Sequence, residues 1–394
     1  ASVVVDRESP AESASCGNAG LVSYGHPPLT RPGVSLRGLR WMFDRRSPLL
    51  IRPRFSARFL AWMWRFHRHC TRSHFDRCME VLAAMGHLGA ARFDEIVAES
   101  GIECGWRREG WLDVCLEADS LAKAGEEAAV LEALGFPSEP LDGASLRRLE
   151  PAYLDAVAGA RRYEMAATLD PRRLMQGLVA RLRERGVEFA FGAEAEGFIE
   201  RGGRVAGVRT ATGEHLGRAV LLAAGTWSDR LARLAGIELP MEGARGYHLE
   251  FEGVDPLPQR GAVLHESFVA VTSFHGRLRL AGTLELAGLS RPPMRERLEQ
   301  LPIAAAAYLR PLAGGAKPAR VAEWSGYRPC LADGMPAIGE IPGRPGLVIA
   351  TGHAMMGVTL GPATAVIVAD LLTGEPPAID SPLLRPERFR RRRS

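Results

Sequence analysis

The chain has 394 residues, 46% hydrophobic and 24% charged, with a formal net charge of +4. That supplies a sizeable core and about two domains, and no apolar run reaches the length of a membrane-spanning helix. The six cysteines (Cys16, Cys70, Cys78, Cys104, Cys115 and Cys330) show neither C-x-x-C pairs nor metal-type spacing with histidine, so no disulfide and no metal site is expected.

Val3-Val4-Val5-Asp6 reads as a strand ending in an acid. In a dinucleotide-binding unit such an acid follows a glycine-rich turn by about 20 residues and takes the adenosine ribose. No strand, G-x-G-x-x-G turn and helix fit before Ala1, so the expectation is that a βα unit of about 25 to 35 residues precedes it. The opening residues lack a charged n-region, which predicts no signal peptide and a cytoplasmic location. A polar, glycine-bearing turn follows, Ser13-Ala14-Ser15-Cys16-Gly17-Asn18-Ala19-Gly20.

Residues 31–72 hold eleven arginines and one acid, Asp44, interleaved with Trp41, Phe43, Phe55, Phe59, Trp62, Trp64 and Phe66. This pattern suits an anionic membrane surface or a solvated or interdomain cationic face. No nucleic-acid fold motif accompanies it, and nucleic acid is not expected. Arginine supplies nearly all of the positive charge, Lys123 and Lys317 being the only lysines.

Residues 38–101 read as mainly helical, and His67, His69, His74 and His87 there lack a ligand-type partner pattern. A strand is expected at 109–116 and a helix at 120–135 closed by Gly135, after which Pro137 and Pro140 break the chain before 144–150. Asp170 caps a helix with Pro171 in its first position and a Leu174, Leu178, Leu182 stripe, ended by Gly186. A strand at 187–191, a hairpin about Gly202-Gly203 and a buried strand at 219–225 follow, with Trp227 opening a helix. Short strands at 246–251, 268–272 and 277–281, the last two joined at Phe274-His275-Gly276, predict an antiparallel sheet roofing a ligand site. Tyr247 and His248 point to opposite faces of it.

Gly326-Tyr327-Arg328-Pro329 reads as a polar turn, followed by Asp333-Gly334, Pro336 and Gly339. Residues 347–350 form a short buried strand ending in Thr351-Gly352-His353, and residues 359–372 a largely apolar helix with Gly374 as its stop. A strand running into a glycine-bearing helix start brings backbone N–H groups and the positive dipole end towards a ligand. Neither a G-x-x-x-x-G-K-[ST] loop nor a G-x-S-x-G elbow occurs, which argues against an NTPase and a hydrolase.

The run G-x-R-P, D-G-x-P-x-I-G, strand, Gly-His and glycine-rich helix start resembles the C-terminal signature of the D-amino acid oxidase-like flavoprotein superfamily, most closely the bacterial FAD-dependent D-amino acid dehydrogenases. Residues 13–20 resemble the same family's S-x-x-N-A-G turn. The resemblance implies an α/β fold: a Rossmann-like FAD domain from residues 1–30, 145–235 and 325–394, its first βα unit missing, and an antiparallel sheet plus helices from 31–144 and 236–324. It implies FAD held by Asp6, Arg7, Ser15, Gly17, Asn18, Ala19 and Gly20, by Ala195 at the adenine, by Ala224, Gly225 and Trp227, and by Gly352, Met356, Gly357, Val358 and Thr359. Arg328 would bind the substrate carboxylate, with Tyr247 and His353 beside it, although Tyr247 also reads as a core tyrosine with a satisfied hydroxyl.

The activity implied is oxidative deamination of a D-amino acid to a 2-oxo acid and ammonia, by hydride transfer from Cα to flavin. Electrons would pass to a respiratory quinone, with residues 31–72 as the contact to an anionic membrane on its inner face. A D-hydroxyproline dehydrogenase or a glycine or sarcosine oxidase would use nearly the same motifs. An inactive fragment or a non-catalytic subunit is the alternative outside enzymes.

Overall fold

The computed structural model describes residues 2–9, 13–35, 47, 49–52, 54–314 and 318–390. Trp41, Phe43, Asp44 and Arg37, Arg40, Arg45 and Arg46 of the basic stretch lie outside the described residues.

One half of the molecule is built from parallel strand pairs. Val3–Asp6 runs parallel to Glu188–Phe191, and Val220–Leu222 parallel to Leu347–Thr351, whose other edge takes Ala337–Glu340 antiparallel. Helix Pro171–Glu184 starts where the Asp170 side chain accepts from the N–H groups of Arg172 (2.9 Å) and Arg173 (3.2 Å), so two otherwise orphaned donors are satisfied. Helix Gly357–Thr373 ends at Gly374, in the left-handed region at φ 82°. Against it packs helix Arg72–Ser100, whose Cys78, Leu82 and Met85 join Leu360, Ala363 and Ile367 in one apolar cluster.

The other half is a nine-stranded, mostly antiparallel sheet. Its strands run in the order Ala319–Leu331, Met241–Glu252, Arg277–Leu286, Val269–Phe274, Gly261–Leu264, Trp111–Cys115, Gly159–Tyr163 and Ser138–Asp142, with Leu49–Ile51 added in parallel beside Leu284. A fully buried cluster including Leu112, Leu249, Leu264, Val271 and Leu280 fills one face, and helix Arg295–Ala305 covers it with Leu298 and Leu301.

Three sequence expectations change. Gly326–Pro329 is not a turn: it lies inside the strand Ala319–Leu331, with Gly326 opposite Gly246 and Arg328 opposite Ala244. That strand and Ser138–Asp142 each lie at an edge of the sheet, where a proline (Pro329, Pro140) is tolerated. The large sheet also crosses the expected domain boundaries, taking Gly159–Tyr163 from the segment 145–235 and running through residue 325. Finally, the aromatic run of residues 55–66 divides: Phe59 and Trp62 are buried, and Trp62 donates Nε1–H to the Cys330 carbonyl at 3.0 Å, whereas Trp64 faces out.

Candidate active site

Between the two halves lies a cavity of about 1410 Å³, roofed by the large sheet. The turn 15–19 forms part of its wall, and the sheet holds that turn by its carbonyls. His248 Nδ1 lies 2.8 Å from the Gly17 oxygen, Arg279 donates to the Asn18 oxygen at 2.6 Å, and Thr272 donates to the Ala19 oxygen at 2.7 Å. Within the turn, Asn18 donates to the Ser15 oxygen (2.9 Å) and accepts from the Gly20 N–H (2.5 Å), with Gly20 at φ 71°. Burial, and then the positive charge of Arg279, lowers His248 to a pKa of about 4, so the ring that grips Gly17 is neutral and its Nδ1 carries the donated proton.

Gly225, at φ 51°, follows the strand Val220–Leu222, and its carbonyl accepts from Thr351 Oγ1 at 3.0 Å. Beside it Trp227 reaches the cavity, its ring edge against Tyr327 and the Arg7 guanidinium 3.8 Å above it. Opposite, Gly352, His353 and residues 356–359 line the wall, so helix Gly357–Thr373 points its N-terminus into the cavity. That helix has no side-chain N-cap and no acid in its first turn, which leaves amide donors and the positive dipole end for a ligand. His353 Nε2 pairs with Thr364 Oγ1 at 2.9 Å, and burial lowers its pKa to about 4.

Arg328 is the cation on the sheet side. Its Nη1 donates to the Thr283 carbonyl at 3.0 Å, and among the described residues no carboxylate pairs with it. Burial pushes its pKa down from the usual guanidinium value. Tyr247 lines the cavity, but its hydroxyl donates to the buried Glu285 and accepts from the Met294 N–H at 3.0 Å. Arg52 completes this buried group 3.4 Å from Glu285.

Of the expected cofactor residues, Ser15, Gly17, Asn18, Ala19, Gly225, Trp227, Gly352, Met356, Gly357, Val358 and Thr359 all meet at this cavity. Asp6, Arg7, Gly20, Ala195 and Ala224 lie off its wall. Asp6 accepts from the Glu8 N–H at 3.0 Å, and Ala195 begins a hairpin strand, its carbonyl 3.5 Å from Arg230 Nη2. Residue patterns did not single out Trp324, which stacks on His248 with ring centroids 5.3 Å apart. A Cβ at Gly17 or Gly326 would meet its indole at 2.1 or 2.2 Å, and those two glycines were the available signal. Asp113, Cys115 and His265 also converge, by adjacent strands rather than by sequence spacing. There His265 Nδ1 pairs with Asp113 at 3.0 Å, which raises the histidine pKa, while burial and the nearby acids raise that of Cys115.

An α/β half that presents an uncapped helix N-terminus faces, across this cavity, a β-sheet carrying an arginine with no carboxylate partner among the described residues, an arrangement suited to an anionic cofactor and a carboxylate ligand. The chain belongs to the DAO family of FAD dependent oxidoreductases, whose profile matches residues 2–371. It is 33% identical over 98% of its length to a D-amino acid dehydrogenase of Cereibacter sphaeroides, of which it covers 89%. It is 32% identical to a D-amino acid dehydrogenase of Rhizorhabdus wittichii over 98% of its length, covering 94% of that protein. In fold it is similar to glycine oxidase from Bacillus cereus, with a TM-score of 0.74 at 19% identity over 96% of this chain and 92% of that one. Glycine oxidase from Geobacillus kaustophilus gives 0.74 at 20% identity over 100% and 92%.

The residues present fit FAD. Thr226 Oγ1 and Tyr24 Oη are buried at the cavity wall without a hydrogen-bond partner among the described residues, and the helix start at Gly357 on the same cavity is uncapped. The turn 15–19, Gly225, Trp227 and the start of helix Gly357–Thr373 are the groups that would hold the cofactor.

Proposed function

We propose that this protein oxidatively deaminates D-amino acids to 2-oxo acids and ammonia, passing the electrons to a respiratory quinone. The observation that carries this reading is Arg328: a half-buried guanidinium that no carboxylate among the described residues pairs with, lining the cavity opposite an uncapped helix N-terminus. A planar two-donor fork suits a substrate carboxylate and fixes the orientation of Cα. Bound FAD supplies the two-electron acceptor for the Cα–H bond. The substrate leaves as an iminium, which water hydrolyses to the 2-oxo acid and ammonium. Orientation and charge stabilisation do most of this chemistry, consistent with histidines whose low pKa values keep them neutral near pH 7. Tyr247 acts here as a wall, its hydroxyl tied to Glu285, and His353 as a neutral brace of the turn before the helix.

The membrane part of the reading rests on helix Ala57–His69. Leu60 and Trp64 are 60% and 58% exposed, and the Arg68 guanidinium lies 4.9 Å over the Trp64 ring. Apolar side chains set among arginines suit an anionic lipid surface. Among the described residues no helix is long and apolar enough to cross a membrane.

The test is turnover by the FAD-loaded protein with D-alanine, D-proline, cis-4-hydroxy-D-proline and sarcosine, using a quinone analogue or oxygen as acceptor. Quinone-dependent oxidation of D-alanine supports the proposal. Oxidation of sarcosine alone, or vigorous peroxide formation without gain from quinone, rejects it. Binding to anionic vesicles that does not weaken with salt rejects the membrane contact.

A further inference from the structure

We propose that Thr283 is a substrate-binding residue of this site, its hydroxyl making the second polar contact to the carboxylate that Arg328 holds. The proposal rests on the reading of the cavity as a site for an amino acid.

Thr283 lies on the strand Arg277–Leu286, where the pairing with Met241–Glu252 slips. Tyr247 is opposite Gly282, but Arg245 is opposite Glu285, so the Thr283 strand carries one extra residue there. Such a bulge re-aims a side chain and recurs beside active sites. Thr283 pays for it with φ 59°, a conformation that a β-branched residue rarely adopts.

The bulge has two effects. It turns the Thr283 carbonyl onto Arg328 Nη1, which fixes one arm of the guanidinium and leaves the other donors for a ligand. It also leaves Thr283 Oγ1 buried at the cavity wall with no hydrogen-bond partner among the described residues. A buried hydroxyl without a partner is unfavourable, and so is the backbone, so this position carries two local costs at once. A ligand that accepts from the hydroxyl removes the first. A carboxylate has about four lone-pair sites, enough for the arginine and one further donor.

The experiment compares Thr283→Ser, Thr283→Val and Thr283→Gly in the FAD-loaded protein. It measures kcat and KM for D-alanine, Kd for pyruvate as an unreactive carboxylate, flavin content and Tm. Thr283→Ser keeps the hydroxyl and should stay within about twofold of the parent. Thr283→Val removes only the hydroxyl. It should raise KM and the pyruvate Kd about tenfold, with flavin content unchanged and Tm unchanged or raised. Thr283→Gly relieves the strain, so Tm should rise while pyruvate affinity falls as in the valine variant. Unchanged pyruvate affinity in Thr283→Val overturns the proposal, as does loss of flavin or stability with normal kinetics in the folded fraction. If the parent protein oxidises no D-amino acid, the proposed activity fails, and pyruvate binding still decides the role of Thr283. If the parent turns over D-alanine and Thr283→Val does so equally well, Thr283 fails alone.

Discussion

The Arg328 guanidinium occupies the space that a side chain at residue 246 would fill: a Cβ on Gly246 would lie 2.0 Å from its Nη1. The two residues sit on neighbouring strands, and Gly246 pairs with Gly326, two positions from the arginine. The clash is with the far end of a flexible side chain, so Gly246→Ala should move the guanidinium rather than the sheet. A misplacement of that size costs up to about a hundredfold in rate. We expect kcat/KM for D-alanine to fall by about that factor with FAD content and Tm nearly unchanged; wild-type kinetics in this variant would refute the packing argument.

Arg328 itself should not tolerate conservative replacement. An ammonium cannot reproduce the planar fork, so Arg328→Lys should resemble Arg328→Ala. A charge-assisted hydrogen bond contributes about 1.5–3 kcal/mol, which predicts a loss of roughly ten- to a few hundred-fold in kcat/KM. The fold should survive, because the guanidinium has no ion-pair partner among the described residues and one hydrogen bond, to Thr283. Flavin-to-protein ratio and Tm measured beside the kinetics separate this from a bracing role, which predicts unstable protein with normal turnover.

Gly17 should be sensitive for a different reason. A Cβ there would meet the Trp324 indole at 2.1 Å, and that ring is held against His248 in the sheet. Overpacking of this kind costs about 1–3 kcal/mol, so Gly17→Ala should displace the turn and weaken FAD binding by roughly ten- to a hundredfold. Combining it with Trp324→Leu should recover part of the affinity. Titration of the apoprotein with FAD reads both effects, and additive losses in the double variant would contradict the contact.

Stability should fall in acid through the buried histidines. His248 and His353 have folded pKa values lowered from 6.5 to about 4, chiefly by burial. The unfolded chain therefore binds more protons between those two values. Their contribution is fully present above pH 6.5 and declines as pH falls towards 4, by up to about 1.4 kcal/mol per pH unit for each histidine. Urea midpoints across that range should show a shallower slope for His248→Asn than for the parent. An unaltered slope would mean that His248 is not neutral in the fold.

What the sequence determined by itself was local. The apolar runs at 3–5 and 347–350, the Asp170–Pro171 helix start and the Gly374 stop are each specified by a few adjacent residues, and each formed as expected, whereas the buried strand expected at 219–225 shortens to Val220–Leu222 with Leu221 exposed. The glycine-bearing motifs carried the resemblance to the family whose profile matches residues 2–371. The tertiary structure alone decided the sheet side of the site. Glycine and proline made 326–329 look like a turn, and only pairing with a strand some eighty residues earlier in the chain, at a sheet edge, makes it a strand. The bulge at Thr283, the Trp324 ring over Gly17 and the carbonyl contacts of His248, Arg279 and Thr272 likewise join residues far apart in sequence. Strand register and side-chain packing are non-local, so no window of sequence contains them.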